Sequence, residues 1–265
     1  MLAIISDIHS NVEALTAVLA DIAERGAEQI ICLGDIVGYG PQPAECVDIL
    51  TAEADVTLMG NHDYAVLLEP NKFNISAETA CYWTRQQFER EPDLAKRSAR
   101  WEFLGNLPVK HTLEADDPAN GGEGGPGRPE QVFVHGSPRR PVNEYVFPDD
   151  VYNAPNKVQG LFDRFGGLCF VGHTHVPGVF LDTPDFYSPD ELEGVFEISS
   201  ARKAMINVGS VGQPRDRDPR ASYVIVEPDV VRFVRVEYDV DAVMEKVFAI
   251  PELDDYSGNR LKEGR

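Results

Sequence analysis

Five short apolar runs in this chain each end in a cluster of Asp, Asn, His or Gly, and that recurrence limits the fold more than any other feature. The clusters are Asp7-Ile8-His9, Gly34-Asp35, Gly60-Asn61-His62-Asp63, His135-Gly136 and Gly172-His173-Thr174-His175. They hold five of the six histidines; the sixth, His111, lies inside Val109–Thr112 and reads as an ordinary strand histidine. In an extended chain residues i and i+2 face the same side, so His173 and His175 can aim at one spot. Taken singly the clusters have plain explanations: Gly-Asp as a turn or cap, Asn-His-Asp as an Asx turn, His-Thr-His as a surface loop. Their ordered repetition at strand ends marks instead the carboxyl rim of an α/β sheet, where ligands bind.

The spacing of apolar residues supports that frame. Strands are expected at 2–6, 29–33 and 56–59, with helices at 11–24 (Asn11 as N-cap) and 43–51 between them. This β-α-β-α-β order predicts a mostly parallel sheet with helices on its faces. Residues 76–104 read as helix broken near Pro92, with Trp83, Phe88 and Trp101 as core. Strands at 108–113 and 131–135 are joined by Asp116–Glu130, rich in Gly and Pro and expected as an exposed, mobile loop. A helix at 154–165 precedes the strand that ends at His175. Strands are then expected at 179–181, 194–198, 204–208, 222–227 and 230–237, the last two as a hairpin. A helix follows from 239 to about 248. Two sheets face to face with helices outside is the economical architecture, in a single domain over 1–250, with a polar C-terminal tail over 251–265 expected to be disordered.

Charge and cysteine usage narrow the function. The 44 acidic against 24 basic residues give a net charge of −20 over 265 residues, which disfavours a nucleic acid polymer as partner. Any phosphate site must therefore create local positive charge, and metal ions do this well. No apolar run is long enough for a membrane span, and the first ten residues already hold a strand and the Asp7/His9 pair rather than a leader. Cys32, Cys46, Cys81 and Cys169 are widely spaced without metal-binding pairs, as expected of buried thiols in a reducing compartment. These features predict a cytoplasmic location.

Two carboxylates, one amide oxygen and up to five imidazoles, without thiolate, suit Mn, Fe, Zn or Co. They are too many for one ion, so two ions sharing a carboxylate is the natural reading. Two such ions can hold a hydroxide between them and clamp the attacking and leaving oxygens of a phosphoryl displacement. At this point the ordered series, together with Gly34-Asp35-Ile36-Val37-Gly38-Tyr39-Gly40, resembles the calcineurin-like metallophosphoesterase superfamily over residues 1 to about 215. The resemblance implies a four-layer αββα sandwich. It implies Asp7, His9, Asp35 and His175 around one metal, and Asp35, Asn61, His135 and His173 around the other, with Asp35 bridging. It implies that His62 faces the substrate, protonating the leaving oxygen or stabilising the charged transition state.

One departure matters. Phosphoprotein phosphatases and symmetrical diadenosine tetraphosphate hydrolases share Gly-Asp-x-Val-Asp-Arg-Gly, but Gly38 and Tyr39 stand here in place of the second Asp and the Arg. The carboxylate that would orient the catalytic histidine is thus missing from its usual place, and Asp63 is the candidate replacement, although as a turn former it would look the same. This points to the small bacterial and archaeal phosphodiesterase-like branch, which the run Ile206–Arg215 also resembles. In that run Asn207, Ser210 and Arg215 are candidate substrate contacts, Arg215 by gripping a phosphate unless Asp216 or Asp218 takes it. Tyr39 and Tyr64 are candidate pocket walls. The expected function is hydrolysis of a small, nucleotide-like phosphate diester with two divalent ions, most readily Mn, with Fe, Zn, Ni or Co as alternatives. A pyrophosphatase or phosphomonoesterase on the same site, or a non-catalytic metal-bound scaffold, are the rival readings; nothing in the sequence fixes an oligomeric state.

Overall fold

The first strand shows why the apolar runs are continuous rather than alternating. Leu2 and Ile4 point to one side, into a core of Ile31, Phe133, Phe170, Ile206 and Val224; Ala3 and Ile5 point to the other, against Leu15, Val18, Val47 and Leu50 of two helices. A strand covered on both faces needs apolar residues at every position. The molecule, a computed structural model, describes residues 1–116, 128–199 and 202–265, so most of the loop expected over Asp116–Glu130 lies outside the described residues.

In chain order the elements are β1 (Leu2–Ile5), α1 (Val12–Arg25), β2 (Gln29–Cys32), α2 (Pro43–Glu53), β3 (Val56–Thr57), α3 (Asn61–Leu67), α4 (Ile75–Glu89), α5 (Leu94–Gly105), β4 (Lys110–Leu113) and β5 (Gln131–Val134). There follow α6 (Asp150–Asn153), α7 (Pro155–Phe162), β6 (Leu168–Val171), β7 (Gly178–Leu181), β8 (Asp185–Tyr187), β9 (Val195–Glu197), β10 (Ala204–Asn207), β11 (Ala221–Val226), β12 (Val230–Val236), α8 (Val240–Phe248), α9 (Asp255–Asn259) and a 3₁₀ turn (Arg260–Glu263).

The strands form two mixed six-stranded sheets, ordered β3-β2-β1-β11-β12-β9 and β4-β5-β6-β10-β7-β8. In the first, β1, β2 and β3 run parallel; in the second, β5, β6 and β10 do. The antiparallel strands lie outside these trios, so the expectation of a mostly parallel sheet holds for the half of each sheet that carries the clusters. Between the sheets lies an apolar core, while α1 and α2 cover the outer face of the first sheet and α7 that of the second, through Val158, Leu161 and Phe162. This is the four-layer αββα sandwich.

Three local features depart from the sequence reading. Asn61–Leu67 is a helix with Gly60 as N-cap, an element the apolar spacing does not announce. Its seven residues are too few to show a helical period. Secondly, β8 was not foreseen, because its three residues carry no alternation. Thirdly, residues 251–265 are not a disordered tail. Asp254 caps α9, and Leu253 and Leu261 are buried against Ala80, Trp83, Val243 and Val247. Two well-placed leucines anchor a segment whose overall polarity hides them.

Candidate metal centre

The parallel strands of both sheets end at one place. β1 delivers Asp7 and His9, β2 delivers Asp35, β3 leads into Asn61 and His62, β5 delivers His135, and β6 delivers His173 and His175. The sheets are joined there directly: the amide of Val211, beyond β10, donates to the carbonyl of Ser6, and the amide of His173 donates to Asp7 Oδ2 at 3.0 Å. Gly172 and Gly60 allow this approach, since a Cβ on the first would collide with Ser6 and Asp7 and on the second with the Asp35 carboxylate.

Asp7, His9, Asp35, His173 and His175 all have positive φ, between 48° and 66°. Left-handed backbone is uncommon for residues other than Gly, though Asp, Asn and His tolerate it best. It turns the chain sharply at each strand end, so that several side chains from one short loop face inward. Conformations of this kind persist where the surrounding structure over-determines them, characteristically at functional sites.

The side chains separate into two groups sharing one carboxylate. In the first, His175 Nε2 is 3.1 Å from Asp7 Oδ1 and 3.2 Å from His9 Nε2, and His9 Nε2 is 3.7 Å from Asp35 Oδ2. In the second, His135 Nε2 is 3.3 Å from the same Asp35 Oδ2, 3.2 Å from Asn61 Oδ1 and 3.1 Å from His173 Nδ1. All seven side chains are buried. The other oxygen of Asp35 accepts from the amide of His62 at 2.8 Å, which leaves Oδ2 to serve both groups.

This arrangement fits cations and little else. His9 Nδ1 lies 3.1 Å from the carbonyl of Val37, and His175 Nδ1 lies 2.6 Å from that of Gln213. A carbonyl only accepts, so each Nδ1 donates and each neutral Nε2 carries a lone pair. Two such lone pairs 3.2 Å apart repel unless a cation lies between them. Asp7 Oδ1, His135 Nδ1 and His173 Nε2 are buried without hydrogen-bond partners.

Electrostatics agree. Burial opposes charge on His135, but Asp35 and Asp7 outweigh it and raise its pKa to about 9. Burial likewise opposes charge on Asp7, yet His175 and His135 hold its carboxyl well below the usual range. A buried imidazole driven to protonate between carboxylates marks a place where positive charge belongs.

His62 is buried beside His9 and Asp35, its ring 4.9 Å from that of His9, 4.6 Å from Tyr39 and 4.8 Å from Phe73. Its Nδ1 has no partner and lies against Gly38, where any side chain would strike it. Aromatic packing holds this ring in place. Burial, with Arg215 adding to it and Asp35 opposing, lowers its pKa to about 4, so near pH 7 it is a neutral N–H donor. Asp63 does not orient it. The Asp63 carboxylate accepts from the amides of Asp35 at 2.8 Å, Ile36 at 2.9 Å, Val37 at 3.3 Å and Gly60 at 3.0 Å. It is the anchor of the Asp35 loop, and every acceptor position it has is spent on backbone.

The run after β10 also differs from expectation. Asn207 donates to the carbonyl of Gly172 and to Thr174 Oγ1, both at 2.8 Å, while its Oδ1 accepts from the amide of Gly209. Ser210 donates to the carbonyl of Asp7 and accepts from the amide of Gln213. Both are buried and occupied, so they brace the ligand loops and do not face a substrate. Arg215 does face the site. Asp216 pairs with Arg235 and Asp218 with Arg220, which leaves the Arg215 guanidinium over the Tyr39 ring, 5.7 Å from its centroid. Tyr39 therefore lines the site, whereas Tyr64 is 43% exposed and has no ring contact with the metal-facing histidines. His111 is a strand residue against Phe133, as its setting implied.

Two aromatic residues by His173 were not singled out by the sequence. Tyr145 stacks on His173 with ring centroids 3.8 Å apart, and Phe147 stacks on Tyr145 at 5.3 Å. They lie in an irregular stretch between β5 and α6, and only their aromaticity within reach of His135-Gly136 would have flagged them.

A four-layer αββα sandwich whose parallel strands gather Asp, Asn and His around a shared carboxylate defines a metal-dependent phosphoric ester hydrolase. The sequence profile of the calcineurin-like phosphoesterase superfamily domain matches residues 1–230, and the chain belongs to that family. It is 39% identical, over 273 aligned residues that cover 100% of this chain and 98% of the relative, to an uncharacterized protein of Methanocaldococcus jannaschii. A crystal structure of a metallophosphoesterase from Sphaerobacter thermophilus is 35% identical and superposes with a TM-score of 0.78, covering 100% and 98% of the two chains. A hypothetical protein from Pyrococcus horikoshii, 19% identical with a TM-score of 0.71 over 100% and 99%, shares the fold. No helix among the described residues is long and apolar enough to cross a membrane.

Proposed function

We propose that this chain is a binuclear phosphodiesterase acting on a small, nucleotide-like phosphate diester. The observation that carries this reading is Asp35 Oδ2, which stands between two complete ligand groups while its partner oxygen is tied to the His62 amide. Two divalent ions, Mn or else Fe, Zn, Ni or Co, held by Asp7, His9, Asp35 and His175 and by Asp35, Asn61, His135 and His173, would supply positive charge and an activated water for attack on phosphorus.

The remaining work falls to the chain's own residues. Attack forms a P–O bond to the water oxygen and breaks the P–O bond to the leaving group, water's proton passes to solvent, and charge builds on the non-bridging and leaving oxygens. His62, neutral and an N–H donor, hydrogen-bonds to that developing charge. A ring with a pKa near 4 is a poor source of a full proton at pH 7, so donation of a hydrogen bond is favoured over protonation of the leaving group. Arg215, over the Tyr39 ring, grips a phosphate oxygen of the substrate. The stacked Tyr145 and Phe147, 44% and 48% exposed, offer a planar leaving group a face to lie on, which supports a nucleotide-like substrate. Four buried free cysteines and the acidic surface support a cytoplasmic enzyme working on a small molecule, away from membranes and nucleic acid polymers.

The test is hydrolysis of bis-p-nitrophenyl phosphate after chelation and after Mn is restored, with His62→Ala alongside. Activity should require metal and fall by about two to four orders of magnitude in the variant. Turnover of monoesters alone would move the reading to a phosphomonoesterase; no turnover of diester, monoester or pyrophosphate with both ions bound would leave a scaffold.

A further inference from the structure

Two guanidinium groups meet beside the metal-facing histidines. Arg215 Nη2 donates to Oε1 of the buried Gln213 at 2.7 Å, and Arg260 Nη1, from the 3₁₀ turn, reaches the same oxygen at 3.2 Å. Tyr39 lies under Arg215, with its ring 5.0 Å from that of His9. Several arginines of this chain are held by carboxylates: Asp48 and Glu91 hold Arg100, Glu144 holds Arg139, Asp218 holds Arg220. Among the described residues neither Arg215 nor Arg260 is bonded to an Asp or Glu side chain. Arg260 Nε donates to the main-chain oxygen of Arg265, the last residue of the sequence, and Arg215 Nε is buried with no hydrogen-bond partner.

Like charges converging on one amide oxygen are unfavourable alone. Burial and the Arg215 charge together push the Arg260 pKa down to about 10. The fold nevertheless holds the pair together, because Leu253 and Leu261 pin the C-terminal segment against α4 and α8. An anion between the two guanidiniums relieves the repulsion and completes the missing hydrogen bonds, and their planar forks match phosphate oxygens.

We propose that Arg215 and Arg260, positioned by Gln213 and Tyr39, form a subsite for a second phosphate of the substrate, next to the one cleaved at the metal-facing residues. This rests on the phosphoesterase reading of the site and extends it. The Tyr39 ring, in contact with both Arg215 and His62, stands between the pair and the reacting centre, so the group bound there is a neighbour of the scissile phosphate. Preferred substrates accordingly contain a phosphoanhydride or carry a further phosphate, and the C-terminal segment is part of substrate selection.

Two measurements decide this. On the Mn-loaded full-length protein, Arg260→Gln should lose at least tenfold more kcat/KM on diadenosine tetraphosphate than on bis-p-nitrophenyl phosphate, through KM, with Arg260→Lys recovering part of the difference. Equal losses on the two substrates would overturn the proposal. Separately, inorganic pyrophosphate is titrated calorimetrically into chelator-treated protein. The wild type should bind it, and Arg260→Gln at least tenfold more weakly; Arg215→Gln serves in its place if thermal melting shows that Arg260→Gln does not fold. Absence of pyrophosphate binding to the wild type overturns the subsite whatever is hydrolysed. Pyrophosphate binding that depends on the arginines, in a protein that hydrolyses nothing, would uphold the subsite and overturn the esterase reading.

Discussion

The two ligand groups around Asp35 are built differently. In the first, His9 and His175 each donate a hydrogen bond from Nδ1–H to a main-chain carbonyl, which fixes tautomer and ring angle before any ion arrives. In the second, His135 Nδ1 and His173 Nε2 have no partner, and His173 is held by the Tyr145 ring lying flat upon it. The first group is closed over by Tyr39, Gln213 and the C-terminal segment; the second lies under an aromatic side chain that is nearly half exposed. Orientation of ligand imidazoles by outer hydrogen bonds strengthens metal binding by about 10–100-fold. If each group holds an ion, as proposed above, the contrast predicts that the first group keeps its ion and the second exchanges it.

The largest effect should come from the residue the groups share. Asp35→Ala removes a ligand from both and frees the His62 amide, so bound metal measured by elemental analysis should fall to near zero and hydrolysis by about three orders of magnitude. Retention of one tightly bound ion would break the picture of a shared carboxylate. Next in size, titration with a chelator should strip metal in two steps about 10–100-fold apart in affinity. His173→Ala should abolish only the weaker step, and His175→Ala the tighter one. A single step in the wild type, or the reverse assignment, ends the distinction between the groups.

Asp63→Asn probes the scaffold beneath both. An amide has one acceptor oxygen where the carboxylate serves four backbone N–H groups, so unfolding in urea with chelator present should show a loss of about 2–3 kcal/mol. A variant as stable as the wild type would mean that the Asp35 loop does not depend on this anchor. Smallest, Tyr145→Ala should raise KM for a nucleotide diester a few-fold and speed loss of the weaker ion, consistent with about 0.5–1.5 kcal/mol for an aromatic stack, and Tyr145→Phe should restore both.

Much of the centre was legible in the sequence because its residues obey local rules. Each candidate ligand follows a short apolar run, fully buried in β1, β5 and β6, and Asp7-x-His9 and His173-x-His175 sit in fixed short spacings that survive any error in strand boundaries. Asp63 was read wrongly because the groups it serves, the amides of Asp35, Ile36 and Val37, lie 26 to 28 positions away and carry no side-chain signature. Asn207 and Ser210 were read as substrate contacts because a polar side chain in a Gly-rich run looks the same whether it faces solvent or braces a loop. Arg260 was out of reach altogether: its place beside Arg215 depends on two leucines in an otherwise polar stretch finding a groove between α4 and α8. What the sequence withheld was mostly the backbone's own needs, and long-range docking of a short segment.

The positive φ of Asp7, His9, Asp35, His173 and His175 has a bearing on engineering. Someone transplanting this centre to another α/β framework would naturally begin by copying side chains onto strand ends. Five of the seven side chains sit where the main chain bends sharply at a non-glycine residue, braced by bonds such as Ser210 to Asp7 and Asp63 to Asp35. A host lacking those hairpin bends would present the same amino acids facing outward, so the portable unit is the set of bends with their braces.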